Sequence, residues 1–424
     1  MSTAELRSWL YEADPKKFPY AAVVQHYQVV GKHFVQPDLL QLLAEIRDKL
    51  PTLKGPWVHV QTLASFLNIA LDKPDNRYDY PTYLALPMLQ LPTVDDPVDH
   101  APFARSRCDR LIVQLIADAL AFEIAAVDGA TTLFPDMRPD ADLIVKRVKH
   151  GLRSILPVLK RMSIDGGLTA SEPMALARQV CSGVQADMSF VERRAIELSV
   201  LPVYTAHDEY MFLRVLQTFE TTFSLLAVQL RGAVAAMGER DIDRALHFLA
   251  GAETALRESA GLFSMLATMQ IESFRTFRNF TEGASAIQSR NYKYVESLCR
   301  APDQARVDSS AYHSVPEVRD RVLAGNLTLD SAYREACESG DIPEADRERL
   351  AAGMKAFARA LLRWRNTHYR LAVRMLGDAT GTGYTAGTPY LKQARTIPVF
   401  QSVGVVENSI EDTAEDTAET ERAQ

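Results

Sequence analysis

Residues 343 to 377 read PEADRERLAAGMKAFARALLRWRNTHYRLAVRMLG. Within this stretch Leu350, Met354, Phe357, Leu361, Trp364, His368, Leu371 and Met375 follow one another at alternating steps of four and three. That spacing places all eight on one stripe of an α-helix. Pro343 suits a first turn and Gly377 a C-terminal stop, so one long helix is expected from end to end. His368 takes one place in an otherwise apolar seam.

The same period runs through most of the chain, and alternating β-branched patterns are scarce, so the expected fold class is all-α, a helical bundle. Helices are expected near 38–50, 57–72, 107–127, 139–163 and 171–198, separated by Pro-rich joints such as LALPMLQLPTVDDPVDHAPF at 84–103. A longer one spans about 206–237, with Leu216, Phe219, Phe223, Leu226 and Leu230 on one stripe. Another follows Gly238, with Asp241 as its cap, and runs to about 270 through Leu246, Leu249, Leu256, Phe263 and Leu266. These two should pack antiparallel, because only a few residues join them.

The chain has 424 residues, is 47% hydrophobic and carries a formal charge of −7. Seven acidic residues and one arginine in 406–424, including EDTAEDTAET at 411–420, account for most of that charge. The tail has no apolar anchors and is expected to be disordered. A near-neutral body without a basic stripe gives no reason to expect nucleic acid. No apolar run reaches 18 residues, because Asp118 and Glu123 interrupt the greasiest stretch, 111–127. No membrane span or export signal is therefore expected, and the location expected is cytoplasmic. Cys108, Cys181, Cys299 and Cys337 are too dispersed for a zinc site or a disulfide framework and read as reduced packing thiols.

A neutral imidazole in a helical core costs free energy unless its nitrogens find partners. His368 is therefore either bonded to a neighbouring polar group or ligates a metal or heme iron inside the bundle. No second His or carboxylate stands three or four residues away, and a single axial histidine suits heme better than a multi-ligand metal site. The segment GDATGTGYTAG at 377–387 follows a helix, with no strand before it, so it is neither a Rossmann fingerprint nor a P-loop. It is a plain connector or a wrap for the charged end of a small ligand.

Trp364, Arg365, His368, Arg374, Met375, Leu376, Gly377, Gly381, Thr382, Gly383 and Gly387 match the C-terminal heme-binding pattern of the tryptophan 2,3-dioxygenases. HDEYMFLRVLQTFE (207–220) and FRTFRNFTEGASAIQSRNYKYVE (274–296) resemble two further segments of that family in the same order, and SSAYHSVPEVRDRVL (309–323) resembles a weaker one. The resemblance spans about 201–400 and implies heme b (iron protoporphyrin IX) between long helices. His368 would be its proximal iron ligand, with Trp364 beside the cofactor. It further implies His207 as the catalytic distal histidine facing the substrate's indole nitrogen, Arg278 on the amino-acid carboxylate and Thr382 on the ammonium and carboxylate end. Phe274 and Phe212 would be aromatic walls and Ser285 a small polar pocket residue. Arg275 would be the solvated neighbour of Arg278. The implied reaction inserts both atoms of O2 at the indole C2–C3 bond of tryptophan or a derivative, giving an N-formylkynurenine-type product. A homo-oligomer is expected.

The chain also departs from the pattern. An aromatic is replaced by Ile287 in SAIQS, Tyr384 stands in GTGY where glycine is usual, and Phe274 holds a position often occupied by tyrosine. These changes favour, as an alternative, a heme enzyme that hydroxylates or rearranges an aromatic amino acid in natural-product biosynthesis. Residues 1–200 carry none of the motifs, so the expected division is an N-terminal helical region (1–200), a heme-binding region (201–405) and the tail (406–424). That silence motivates a third reading, a non-catalytic helical interaction protein.

Overall fold

The computed structural model describes residues 3–377 and 387–404. The expected long helix is present as Glu344–Leu376, with Pro343 at its cap and Gly377 at φ 58° closing it. That positive φ costs glycine little, and the Gly377 N–H bonds the Val373 carbonyl at 2.9 Å. Leu350, Met354, Phe357, Leu361 and Met375 are buried, whereas Trp364, His368 and Leu371 are half-buried. The seam is thus sealed at both ends and opens in the middle onto a cavity.

Among the described residues there is no strand, only an isolated bridge between Asp136 and Ala206. The axis of the molecule is the helix His207–Gly238, buried on almost every side. Helices Ala101–Val127, Ile242–Glu258 and Arg290–Cys299 pack around it, and Glu344–Leu376 packs on Ile242–Glu258. A helix enclosed in this way must satisfy its polar side chains internally. Thr218, Thr221 and Thr222 each donate to the carbonyl four residues back. Arg214 pairs with Asp118 at 2.7 Å and also donates to Ser199, Gln217 and the Ile196 carbonyl.

Two helices end earlier than expected. The segment after Asp241, which caps through the Arg244 N–H, stops at Glu258, and a separate helix runs Ala260–Leu266. The Ser259 hydroxyl takes the Leu256 carbonyl there, and a Cβ on Gly261 would stand 2.6 Å from Ser154 Oγ. The expected 171–198 helix is two, Pro173–Asp187 and Phe190–Leu198. Ser189 begins the second with a capping box closed by Glu192.

One apolar core runs from Leu89 to Val403, across residue 200, and draws on Ala101–Val127 and Ala141–Arg161 as much as on the later helices. A second core gathers Leu6, Trp9, Tyr27, Leu43, Phe66 and their neighbours in the first 71 residues, and reaches Leu198 and Leu201. No helix among the described residues is long and apolar enough to cross a membrane. The four cysteines are free, with Cys108 and Cys299 buried. The expected disordered tail, 406–424, lies outside the described residues.

Candidate functional site

The half-buried middle of the Glu344–Leu376 seam faces a chamber of about 270 Å³, near the low end of the roughly 300–1,000 Å³ common for small-molecule sites. One wall is aromatic. Trp364 lies with its ring centre 5.6 Å from Phe219, 5.1 Å from Phe223, 5.3 Å from Phe263 and 5.2 Å from His368. Its indole N–H finds no partner among the described residues. At the other side Phe212 and Phe274 stand 5.9 Å apart, each packed on Phe277. The chamber shares Arg278 and Leu376 with a shallower depression lined by Ile271, Glu272 and Arg275.

His368 lines this chamber and makes no hydrogen bond among the described residues. Burial pushes its imidazole down to about 4, so at neutral pH the ring is uncharged and one nitrogen carries a free lone pair. Among the described residues no group of three or more His, Cys, Asp or Glu side chains could hold a metal ion. His368 and the aromatic wall around it fit heme: an uncharged imidazole with no hydrogen-bond partner among the described residues is a donor that heme iron would take.

Arg278, Phe212, Phe274, Ser285 and Trp364 join His368 in the lining. Arg278 is half-buried at the last turn of Ile271–Arg278, and burial lowers its proton affinity. Ser285 also starts a short turn, accepting from the Ile287 N–H, with Gln288 bonding back to the Ser285 N–H. Ile287, in place of the expected aromatic, lines the chamber as well. Thr382 and Tyr384 lie outside the described residues.

His207 is not brought to the chamber wall. Its backbone N–H is held by the Asp136 carbonyl at 2.8 Å, and its ring is fully buried, 3.0 Å from Glu123 Oε2 and 4.9 Å from the Phe122 ring. Glu123 also takes Arg147 at 2.5 Å, and Arg147 reaches Asp208 at 2.8 Å. Burial alone would raise the Glu123 carboxyl, but Arg147 and His207 hold it below its ordinary value. Asp208 in turn accepts the Gln270 N–H at 2.7 Å. This closed network of buried charges ties three helices together at the start of the central one.

Several lining residues escaped the sequence reading. Tyr80 and Tyr83 reach the chamber from the N-terminal part of the chain, and the Tyr80 N–H bonds Gln288 at 2.9 Å. Glu220 lines it with one oxygen unpartnered among the described residues, and burial raises its carboxyl to about 7. Lys293, Arg306 and Arg365 complete the wall. Their signal, a charged residue on an otherwise buried helix face, needs the neighbouring helices before it can be read.

No family model matches the chain. Individual relatives do. The tryptophan 2,3-dioxygenase of Bradyrhizobium sp. strain ORS 278 is 26% identical over 234 residues, spanning 47% of this chain and 83% of its own length. That of Polaromonas sp. strain JS666 is 24% identical over 253 residues, 51% of this chain and 86% of its own. That of Xanthomonas euvesicatoria pv. vesicatoria strain 85-10 is 26% identical over 237 residues, 48% and 80% respectively.

Proposed function

We infer that this chain, a divergent relative of the tryptophan 2,3-dioxygenase superfamily with an N-terminal extension, is a heme-dependent oxidoreductase. Its substrate is tryptophan or a tryptophan derivative, and both atoms of O2 enter the indole ring. One observation carries the reading: His368 presents to an aromatic chamber an uncharged imidazole that has no hydrogen-bond partner among the described residues. Bound there, heme b would supply redox-active iron for oxygen chemistry.

The remaining work belongs to the chain's own residues. Arg278 carries a fixed positive charge whose planar fork holds a ligand carboxylate through two parallel bonds. Phe212 and Phe274 clamp an aromatic ring, and Ser285 offers a small polar contact. Thr382 binds the ammonium and carboxylate end. The apolar walls exclude water and fix the ring's orientation, which contributes to the acceleration by holding the reacting groups in place. His207 acts on the ligand from behind the wall, by fixing the start of the central helix that carries Phe212.

Reconstitution with iron protoporphyrin IX tests this. Wild type should develop a Soret band that His368→Ala lacks, and anaerobic titration of the reduced protein with tryptophan should shift the visible spectrum. A product heavier than tryptophan by two oxygen atoms is expected. A gain of one oxygen, on tryptophan or on a derivative that alone is accepted, would favour the hydroxylating or rearranging enzyme, a reading that Ile287 in the chamber wall supports. No Soret band in wild type despite ample porphyrin would leave the helical interaction protein.

A further inference from the structure

Lys293, on Arg290–Cys299, lines the chamber and is 2% exposed. Its ammonium makes neither a hydrogen bond nor an ion pair among the described residues, and lies 5.3 Å from the Tyr292 ring centre. Two further cations share this wall. Arg306 is held side-on by Glu296, through Nε at 2.8 Å and Nη2 at 2.9 Å, and donates to Tyr390 Oη at 3.3 Å. Arg365, 5% exposed, gives Nε to Tyr292 Oη at 2.8 Å and Nη1 to the Ile397 carbonyl at 2.7 Å, both neutral acceptors. Among the described residues, Glu296 is the one carboxylate bonded to the side chain of any of the three.

Two buried cations and the half-buried Arg306 against one carboxylate leave positive charge uncompensated where water is scarce. Such a charge sheds its proton or takes its counter-ion from a ligand. Burial does lower the proton affinity of Lys293, and a ligand carboxylate arriving there would restore it. Arg278 stands on a different helix, Ile271–Arg278, so it leaves this cluster available for a second carboxylate.

We propose that Lys293, Arg365 and Arg306, with the hydroxyls of Tyr292 and Tyr390, form a carboxylate-binding subsite in the chamber wall. Two sources carry that chemistry, the propionates of an iron porphyrin and the carboxylate of a free aromatic acid. The first rests on the heme reading above; the subsite itself does not.

The test compares wild type, Lys293→Met and Lys293→Arg with two pairs of ligands. Absorbance titrations use iron protoporphyrin IX and its dimethyl ester, in which both propionates are masked. Thermal shifts use indole-3-propionate and its amide. If porphyrin is the source, wild type binds the free acid at least tenfold tighter than the ester, Lys293→Met loses that preference and Lys293→Arg keeps it. If a free aromatic acid is the source, the porphyrin pair is indifferent, while indole-3-propionate outperforms its amide in wild type and not in Lys293→Met. Absence of both preferences in wild type, or their survival in Lys293→Met, overturns the subsite. A wild type that takes up no porphyrin defeats the heme reading alone, and the subsite is then judged on the indole-3-propionate pair. Melting without ligand is the folding control: removing an unpaired buried charge should not lower the melting temperature. If Lys293→Met does not fold, Lys293→Gln goes through the same measurements.

Discussion

His368 was legible because a polar residue interrupted an apolar stripe, and the structure gives that interruption a cavity to face. Lys293 and Glu296 were not legible, since RNYKYVE reads as a solvated helix face until its neighbours bury it. Arg278 illustrates the middle case, half-buried and drawn out of a charged segment by its place at the chamber mouth. Losing charge-assisted bonds of about 1.5–3 kcal/mol, Arg278→Leu should weaken amino-acid binding roughly ten- to a hundredfold while the Soret band per protein stays constant. Equal substrate affinity in spectral titrations of the two proteins would rule out that role. Glu296 yields a pH prediction. Burial alone would raise its carboxyl, but the bonds from Arg306 outweigh this and bring it to about 2. A depressed folded value stabilises above the unfolded range and is lost as pH falls through it. Urea denaturation should find Glu296→Gln less stable by on the order of 3–5 kcal/mol at neutral pH, a gap that shrinks as pH drops below about 4.5 towards 2. A gap independent of acid would show that the pair's charge is not what matters.

Among the elements, the long helices were legible from periodicity and their breaks were not. The 171–198 expectation overran Ser189 because the apolar period continues across it, while the Ser189 to Glu192 capping box overrules the period locally. The 242–270 expectation overran Ser259, whose hydroxyl donates to the Leu256 carbonyl at the break, and just beyond it Gly261 packs closely on Ser154. A comparable approach sets the spacing of the two helices expected to pair: a Cβ on Gly232 of the central helix would fall 2.9 Å from the Phe248 ring. Phe248 is 6% exposed and has little room to retreat. Gly232→Val should therefore cost about 1–3 kcal/mol by overpacking. Thermal melting that leaves the variant as stable as wild type would mean the helices can separate freely.

For the whole molecule, sequence motifs stop near residue 200 and the core does not. Similarity to relatives covers about half the chain, but Leu115, Ile116 and Leu120 of Ala101–Val127 and Val148 and Ile155 of Ala141–Arg161 are fully enclosed in the same core as the motif-bearing helices. Motifs record chemistry, whereas burial depends on whichever helices happen to cover a face, and no short pattern encodes that. Glu123 and Arg147 add to the dependence by closing the charge network around His207 and Asp208. A chain beginning at residue 201 should accordingly lose cooperative thermal unfolding, as followed by circular dichroism. A sharp, wild-type-like transition in that fragment would establish that the later helices fold alone. Tyr80 and Tyr83 carry this arrangement one step further. They touch the chamber from a stretch outside the resembling region, so substitutions near residue 80 would reshape its wall without altering a motif-bearing helix, and directed evolution of a new specificity has its natural starting point there.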